Sequence, residues 1–107
     1  MQNPIYSVVI PVYNSTQSLG ELVSRLERVF SEVGAAHEVV FVDDASPNPD
    51  TWPILKSLAQ QNSHVRSIRL MRNFGKAGAV LCALREASGQ WIITIDDDLQ
   101  HAPEDIP

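Results

Sequence analysis

Asp96, Asp97 and Asp98 stand in a row near one end of the chain, and Asp43 and Asp44 form a second acidic pair well before them. Two carboxylates separated by one residue just past a strand can converge on a hard cation. Oxygen ligands are what Mg²⁺ or Mn²⁺ prefers, and such a cation is often shared with substrate phosphates. Asp96 and Asp98 have that spacing. An isolated Asp-x-Asp is short and frequent, and it equally suits capping of the turn that follows. Three adjacent carboxylates also repel one another, and a bound divalent ion would relieve that repulsion, so metal dependence is the physical expectation. Asp43 and Asp44 are suited to hydrogen-bonding a base or a ribose, as an acidic residue at a strand end does in dinucleotide folds, or to capping their own turn.

Arg72 and Lys76 flank Gly75 at the expected start of a helix, where free N–H groups and the helix dipole favour an anion such as a diphosphate. Solvated basic residues are the competing reading. Gly75-Lys76-Ala77-Gly78 matches neither the P-loop spacing nor Gly-x-Gly-x-x-Gly, which removes support for nucleotide hydrolysis and dinucleotide binding of those kinds. His101 follows the acidic run and is a secondary ligand candidate, whereas His37 and His64 read as surface turn residues. The single cysteine, Cys82, reads as a small hydrophobe within a helix. It excludes an internal disulfide, fits a reducing compartment, and has no zinc-site spacing around it.

Thirteen acidic residues against eight basic give a net charge of −5, which argues against a nucleic-acid partner bound through a basic face. Without the five clustered aspartates the two signs balance, so the acidic excess is local and reads as a site. A chain of 107 residues with 44% apolar residues supports one domain (1–107) with an ordinary core. No basic stretch leads into an apolar signal core, and no run approaches the ~20 apolar residues of a membrane span. This stretch of chain is accordingly expected to be soluble, on the cytoplasmic side.

The elements that must position these residues follow from periodicity. Tyr6 to Val12 reads as a buried strand ending in a turn. Ser18 and Glu21 have capping-box spacing. Leu19, Leu22, Val23, Leu26, Phe30 and Val33 then recur at helical intervals, up to a stop at Gly34. Glu38 to Val42 is a second strand, closed by the turn-rich run Asp43 to Pro49. Asp50 is the expected N-cap of a helix carrying Trp52, Leu55, Leu58 and Ala59, with Pro53 in its first turn and an end near Asn62. Val65 to Leu70 is a third strand. A third helix with an Ala77, Val80, Leu81, Leu84 stripe follows, closed by Gly89, and Trp91 to Ile95 reads as a central parallel strand.

The order βαβαβαβ predicts an α/β fold with a mainly parallel sheet covered by helices on both faces. In such open sheets ligands bind outside the carboxyl ends of the strands, at the switch in strand order. That is where the pattern puts Tyr13, Asp43, Asp44, Arg72 and the Asp96 cluster.

Four segments taken together, Val8-Val9-Ile10-Pro11-Val12-Tyr13-Asn14, Val42-Asp43-Asp44-Ala45-Ser46, Arg72-Asn73-Phe74-Gly75-Lys76 and Asp96-Asp97-Asp98-Leu99-Gln100-His101, resemble the family 2 glycosyltransferases of GT-A fold in order and spacing. Within that family the chain looks most like the polyprenyl-phosphate sugar transferases, the group of dolichol-phosphate mannose synthase and the undecaprenyl-phosphate glycosyltransferases. The resemblance implies a Rossmann-like, nucleotide-sugar-binding half-domain. In it Pro11 and Tyr13 line the nucleotide pocket, Asp44 with Asp43 meets the base or ribose, and Arg72, Lys76 and Asp97 belong to the donor site. It further implies that Asp96 and Asp98 form the catalytic Asp-x-Asp that handles donor and metal, with Gln100 completing the shell around Mg²⁺ or Mn²⁺. Two departures stand out: Ser15 occupies a position usually acidic after Tyr-Asn, and Asp97 replaces a commoner small residue.

Members of the family continue past this point with an acceptor-facing half, and this subgroup commonly adds membrane-anchoring helices, so the chain reads as the donor-binding part. The implied reaction moves a sugar from a nucleotide-diphosphate sugar (a UDP-sugar favoured, GDP-mannose an alternative) to a polyprenyl phosphate, metal-assisted and with inversion. Two other classes stay open on the sequence alone. One is a truncated nucleotide-binding remnant without turnover. The other is a receiver-like signalling module, which requires a phosphorylatable aspartate, and none stands out.

Overall fold

The computed structural model describes residues 5–97. Asp98, Gln100 and His101, named above, lie outside the described residues. The elements run β1 (Tyr6–Val12), α1 (Gln17–Val33), β2 (His37–Asp43), α2 (Thr51–Gln61), β3 (Val65–Arg69), α3 (Gly75–Glu86) and β4 (Trp91–Thr94). All strand pairs are parallel, and the spatial order is β3-β2-β1-β4. The chain therefore steps outward from β1 through β2 to β3 and returns to the other side of β1. This reversal creates the crevice in which α/β proteins bind ligands.

Alternation along the central strands sends side chains to both faces. Val8, Ile10 and Val12 of β1 join Val39 and Phe41 of β2 under α1 and α2, packed against Leu19, Leu22, Leu26, Phe30 and Leu55. Val9, Val40 and Val42 face the other way, onto Ala79 and Ala83 of α3. The two layers differ in thickness for a simple reason. Large side chains hold α1 off the sheet, whereas two fully buried alanines let α3 lie close to it. The expected α3 stripe is thus corrected: Ala79 and Ala83 are the buried positions, and Leu81 is 61% exposed.

Other departures lie at the helix ends. At the start of α1 the N-cap position is Thr16 and no side chain caps it, because the Ser18 hydroxyl donates instead to the Asp97 carbonyl at 2.6 Å. Asp50 occupies the N-cap of α2, yet its side chain makes no capping bond. Helix α3 ends at Glu86 rather than at Gly89. Gly89 serves a close approach to β1: its N–H donates to Ser7 Oγ at 2.7 Å, and a Cβ there would lie 2.6 Å from that oxygen and 2.7 Å from the Ser7 nitrogen. Gly34 does close α1 as expected, with φ 77° and its N–H on the Phe30 carbonyl.

His37 is not a surface turn residue, and His64, although it lies in the turn before β3, is only partly exposed. His37 lies in β2, stacked on Phe30 at 4.5 Å between ring centroids, with the His64 ring edge-on at 4.8 Å. β4, read from its apolar run as a central strand, is an edge of the described sheet, with Trp91 64% exposed. No helix among the described residues is long and apolar enough to cross a membrane.

Candidate functional site

Register brings the carboxyl ends of the strands to one level. Val12 pairs with Asp43, and Asp43 with Arg69; at the other side of β1, Thr94 pairs with Val9 and the Ile95 N–H reaches the Val9 carbonyl. Residues just past β1, β2 and β4 and at the start of α3 consequently surround one cleft of about 410 Å³. Its walls are Pro11 and Val12 at the end of β1 with Tyr13 just past it, Asp44 after β2, Asn73, Gly75 and Lys76 entering α3, and Asp96 with Asp97 after β4. That volume lies in the range of small-molecule sites, roughly 300–1,000 Å³.

Of the residues singled out from sequence, Pro11, Tyr13, Asp44, Lys76, Asp96 and Asp97 converge on this cleft. Asp43 and Arg72 are not among its lining residues. Asp43 is 1% exposed beneath it; its Oδ1 accepts the Ser46 N–H at 3.0 Å, and its buried Oδ2 has no hydrogen-bond partner among the described residues. The Arg72 guanidinium lies over the Phe74 ring, 4.7 Å from its centroid.

Each loop is pinned by a side chain from another loop. The Asp44 carboxylate, itself buried, accepts the Phe74 N–H at 2.8 Å and so ties the β2 end to the entry of α3. The Asn73 Oδ1 accepts the Gly75 N–H at 2.9 Å, shaping the turn into that helix, where Gly75 takes φ 81°. Asn14, at φ 65°, donates its N–H to Ser46 Oγ at 2.9 Å and accepts the Asn48 N–H on its side chain at 3.0 Å. Asp97 Oδ2 accepts both the Tyr13 N–H at 3.1 Å and the Ser15 hydroxyl at 2.6 Å. The sequence assigns Ser15, Ser18, Ser46, Asn48 and Asn73 no contact that builds the site, although Ser46 and Asn73 lie within the motifs and Ser15 departs from one. Small polar residues in loops are the default, and only the fold shows which partners they meet.

The Lys76 ammonium forms an ion pair with the Asp96 carboxylate, whose side chain is 22% exposed. This bears on the metal that the acidic run implies. Among the described residues no group of three or more His, Cys, Asp or Glu could hold a metal ion. Asp96, the one implied ligand that is described, nevertheless fits. It is a hard oxygen donor facing the cleft, and its charge is already balanced by a cationic side chain.

Comparisons with known proteins bear on the family and the fold. Two curated relatives, both named undecaprenyl-phosphate 4-deoxy-4-formamido-L-arabinose transferase, from Salmonella paratyphi B and Salmonella newport, are each 42% identical over 94% of this chain. The chain spans 31% of their length. Among solved structures, S. aureus TarS 1-349 matches with a TM-score of 0.70 and 28% identity, over 87% of this chain and 27% of that one. The mannosyltransferase PcManGT from Pyrobaculum calidifontis, solved with GDP-Man and Mn²⁺, matches with a TM-score of 0.74 and 25% identity, over 91% and 28%. The profile of the family described as glycosyl transferase family 2 covers residues 7–107, which include every strand end that lines the cleft, and the chain belongs to that family.

Proposed function

We propose that this chain is the donor-binding part of a transferase that moves a sugar from a nucleotide-diphosphate sugar to a polyprenyl phosphate, with inversion. The observation that carries the reading is the convergence of Asp44, Lys76 and Asp96 on one cleft at the switch in strand order. The relatives named for an undecaprenyl-phosphate substrate support the acceptor class, and the neighbour solved with GDP-Man and Mn²⁺ supports the donor class and a divalent cation. Uridine diphosphate is the base to test first, with guanosine diphosphate as the alternative.

Pro11 and Tyr13 form a wall for the base, and Tyr13, half-exposed, supplies a ring face to it. Asp44 is fixed by the Phe74 N–H and accepts hydrogen bonds from base or ribose. Lys76, in the first turn of α3, meets the diphosphate, where the helix N-terminus adds positive potential. Asp96, with Asp98 and Gln100, holds Mg²⁺ or Mn²⁺. When bound, the cation neutralises charge that develops on the departing diphosphate. A lipid phosphate is already ionised near neutral pH, so attack on the sugar needs no strong general base from the protein.

Thermal unfolding with UDP, GDP or no nucleotide, each with and without Mn²⁺, tests the reading, since a ligand that binds the native state raises the apparent Tm by mass action. A Mn²⁺-dependent rise with one nucleotide is expected. A cooperative melt that neither nucleotide moves overturns the proposal. In the intact enzyme Asp98→Asn is expected to abolish most transfer; a near-normal rate with unchanged metal dependence removes Asp98 from its role.

A further inference from the structure

The donor reading leaves the middle aspartate of the triplet without a distinct task, and its contacts supply one. Among the described residues, the hydrogen bonds of Asp97 run to the segment that follows β1: Oδ2 accepts the Tyr13 N–H and the Ser15 hydroxyl, and the main-chain carbonyl accepts the Ser18 hydroxyl. We infer that Asp97 is a positioning residue, which locks the acidic loop after β4 onto the nucleotide-side loop after β1 and thereby sets the direction of the Asp96 carboxylate.

Two features make this clamp necessary. β4 is short, Trp91–Thr94, and in the described sheet it pairs with β1 alone, so little backbone pairing restrains the loop beyond it. The last such bond is the Ile95 N–H to Val9, one residue before Asp96. A loop leaving a short strand swings unless something else holds it, and a cation site tolerates little misplacement of its ligands.

The other side of the clamp is rigid. Asn14 is held in the left-handed region by Ser46 and Asn48, and the Ser46 N–H is in turn bound to the buried Asp43. Asp97 therefore hooks the acidic loop to a frame that reaches back into the sheet. A carboxylate oxygen that accepts two donors, one at 2.6 Å, is committed to the protein rather than presented to a ligand. The division of labour is then clear: Asp97 grips the frame, and Asp96, beside it, faces Lys76 in the cleft.

This inference rests on the donor reading, and the experiment separates the two. Mn²⁺ binding is measured by calorimetry with the nucleotide that wild type accepts. Exchange of the Tyr13 amide is followed by NMR in the same proteins without ligand. The variants are Asp97→Ala, Asp97→Asn and Ser15→Ala, made in the intact protein. Asp97→Ala is expected to weaken Mn²⁺ binding by about 10–100-fold, as loss of a residue that orients a metal ligand does, and to speed Tyr13 exchange.

Asp97→Asn keeps an oxygen that accepts both bonds, so it should retain most of the binding and protection that Asp97→Ala loses. Ser15→Ala, whose hydroxyl among the described residues bonds to Asp97, should lose Mn²⁺ affinity by several-fold to about tenfold. It also keeps the test decisive should Asp97→Ala fail to fold. The positioning role is overturned if Ser15→Ala binds as wild type while Asp97→Asn is as weak as Asp97→Ala, because the charge itself then meets the ligand. It is equally overturned if Asp97→Ala changes neither readout. Failure of the donor reading looks different: wild type binds Mn²⁺ with neither UDP nor GDP, and the positioning role falls with it.

Discussion

At the amino end of the sheet a single carboxylate gathers nearly everything around it. Glu38 Oε2 accepts the Ser7 hydroxyl and the Ser88 N–H, each at 2.6 Å, and the Ser88 hydroxyl at 3.2 Å, while Arg66 lies 3.6 Å from Oε1. Glu38 is only 7% exposed. Burial alone would push its pKa up, but the bonds from Ser7 and Ser88 and the charge of Arg66 outweigh it and hold the carboxyl below its usual range. At the carboxyl end the acids are distributed. Asp44 and Asp96 each hold one neighbouring loop or cation and still border an open cleft, while Asp97 beside them is tied to the loop after β1. One chemical group thus serves two ends differently. A saturated, buried carboxylate binds the strands and the α3–β4 loop together, whereas spread carboxylates leave a place where a ligand supplies the missing partner.

Four experiments put that contrast under strain. The largest effect is expected for Glu38→Ala, which leaves the buried Ser7 hydroxyl without its acceptor and removes the bonds to Ser88 and Arg66, and should destabilise the fold by about 3 kcal/mol, read by urea unfolding. Nucleotide binding by the fraction that remains folded should persist. Its loss in well-folded protein would show that the two ends are coupled. Asp96→Asn should do the reverse, reducing Mn²⁺-dependent nucleotide binding by about 100-fold, or ~2.7 kcal/mol, with the ligand-free Tm little changed. A fall in ligand-free stability comparable to that of Glu38→Ala would make the Asp96–Lys76 pair structural.

Gly89→Ala is next. Its Cβ would press on Ser7 and on the Tyr6 carbonyl carbon at 2.6–2.8 Å, and backbone neighbours cannot swing aside, so a loss of about 1–3 kcal/mol in stability is expected. A neutral result would mean that the α3–β4 loop shifts freely.

The smallest effect is a pH dependence that belongs to the amino end. Burial, the neighbouring His64 and a weaker opposing pull from Glu27 leave the His37 pKa lowered to about 4. The unfolded chain binds a proton near pH 6.5 that the folded chain refuses, so this contribution to stability is complete above pH 6.5 and is lost as pH falls toward 4. Glu38, with its folded pKa lowered from 4.5, adds stability above that value that is lost as pH falls through its native pKa. His37→Phe should flatten the Tm profile between pH 6.5 and 4.5 and keep the stack on Phe30. An unchanged slope would assign that pH window to another group.

The alternation of strands and helices was legible in the chain because each element carries its own period and stops. Leu19 to Phe30 repeats at helical spacing before Gly34, and Tyr6 to Val12 is a compact apolar run. The cleft acids were legible for the same local reason, since Asp44 and Asp96 directly follow such runs. Glu38 was not. Nothing in His37-Glu38-Val39 distinguishes a buried hub from an exposed strand terminus, and its partners Ser7, Arg66 and Ser88 come from three distant segments.

By itself, then, the sequence determined the α/β class, the element order, and the placing of Tyr13, Asp44, Lys76 and Asp96 at the mouths of strands and helices, because these depend on neighbours along the chain. The tertiary structure alone decided that β4 returns to the far side of β1, that α3 buries Ala79 and Ala83, that Asp43 lies below the cleft while Asp44 borders it, and that Asp97 spans two loops. Those outcomes depend on which surfaces meet in space. A hydroxyl or carboxylate has no preferred partner until folding brings one within about 3 Å of it.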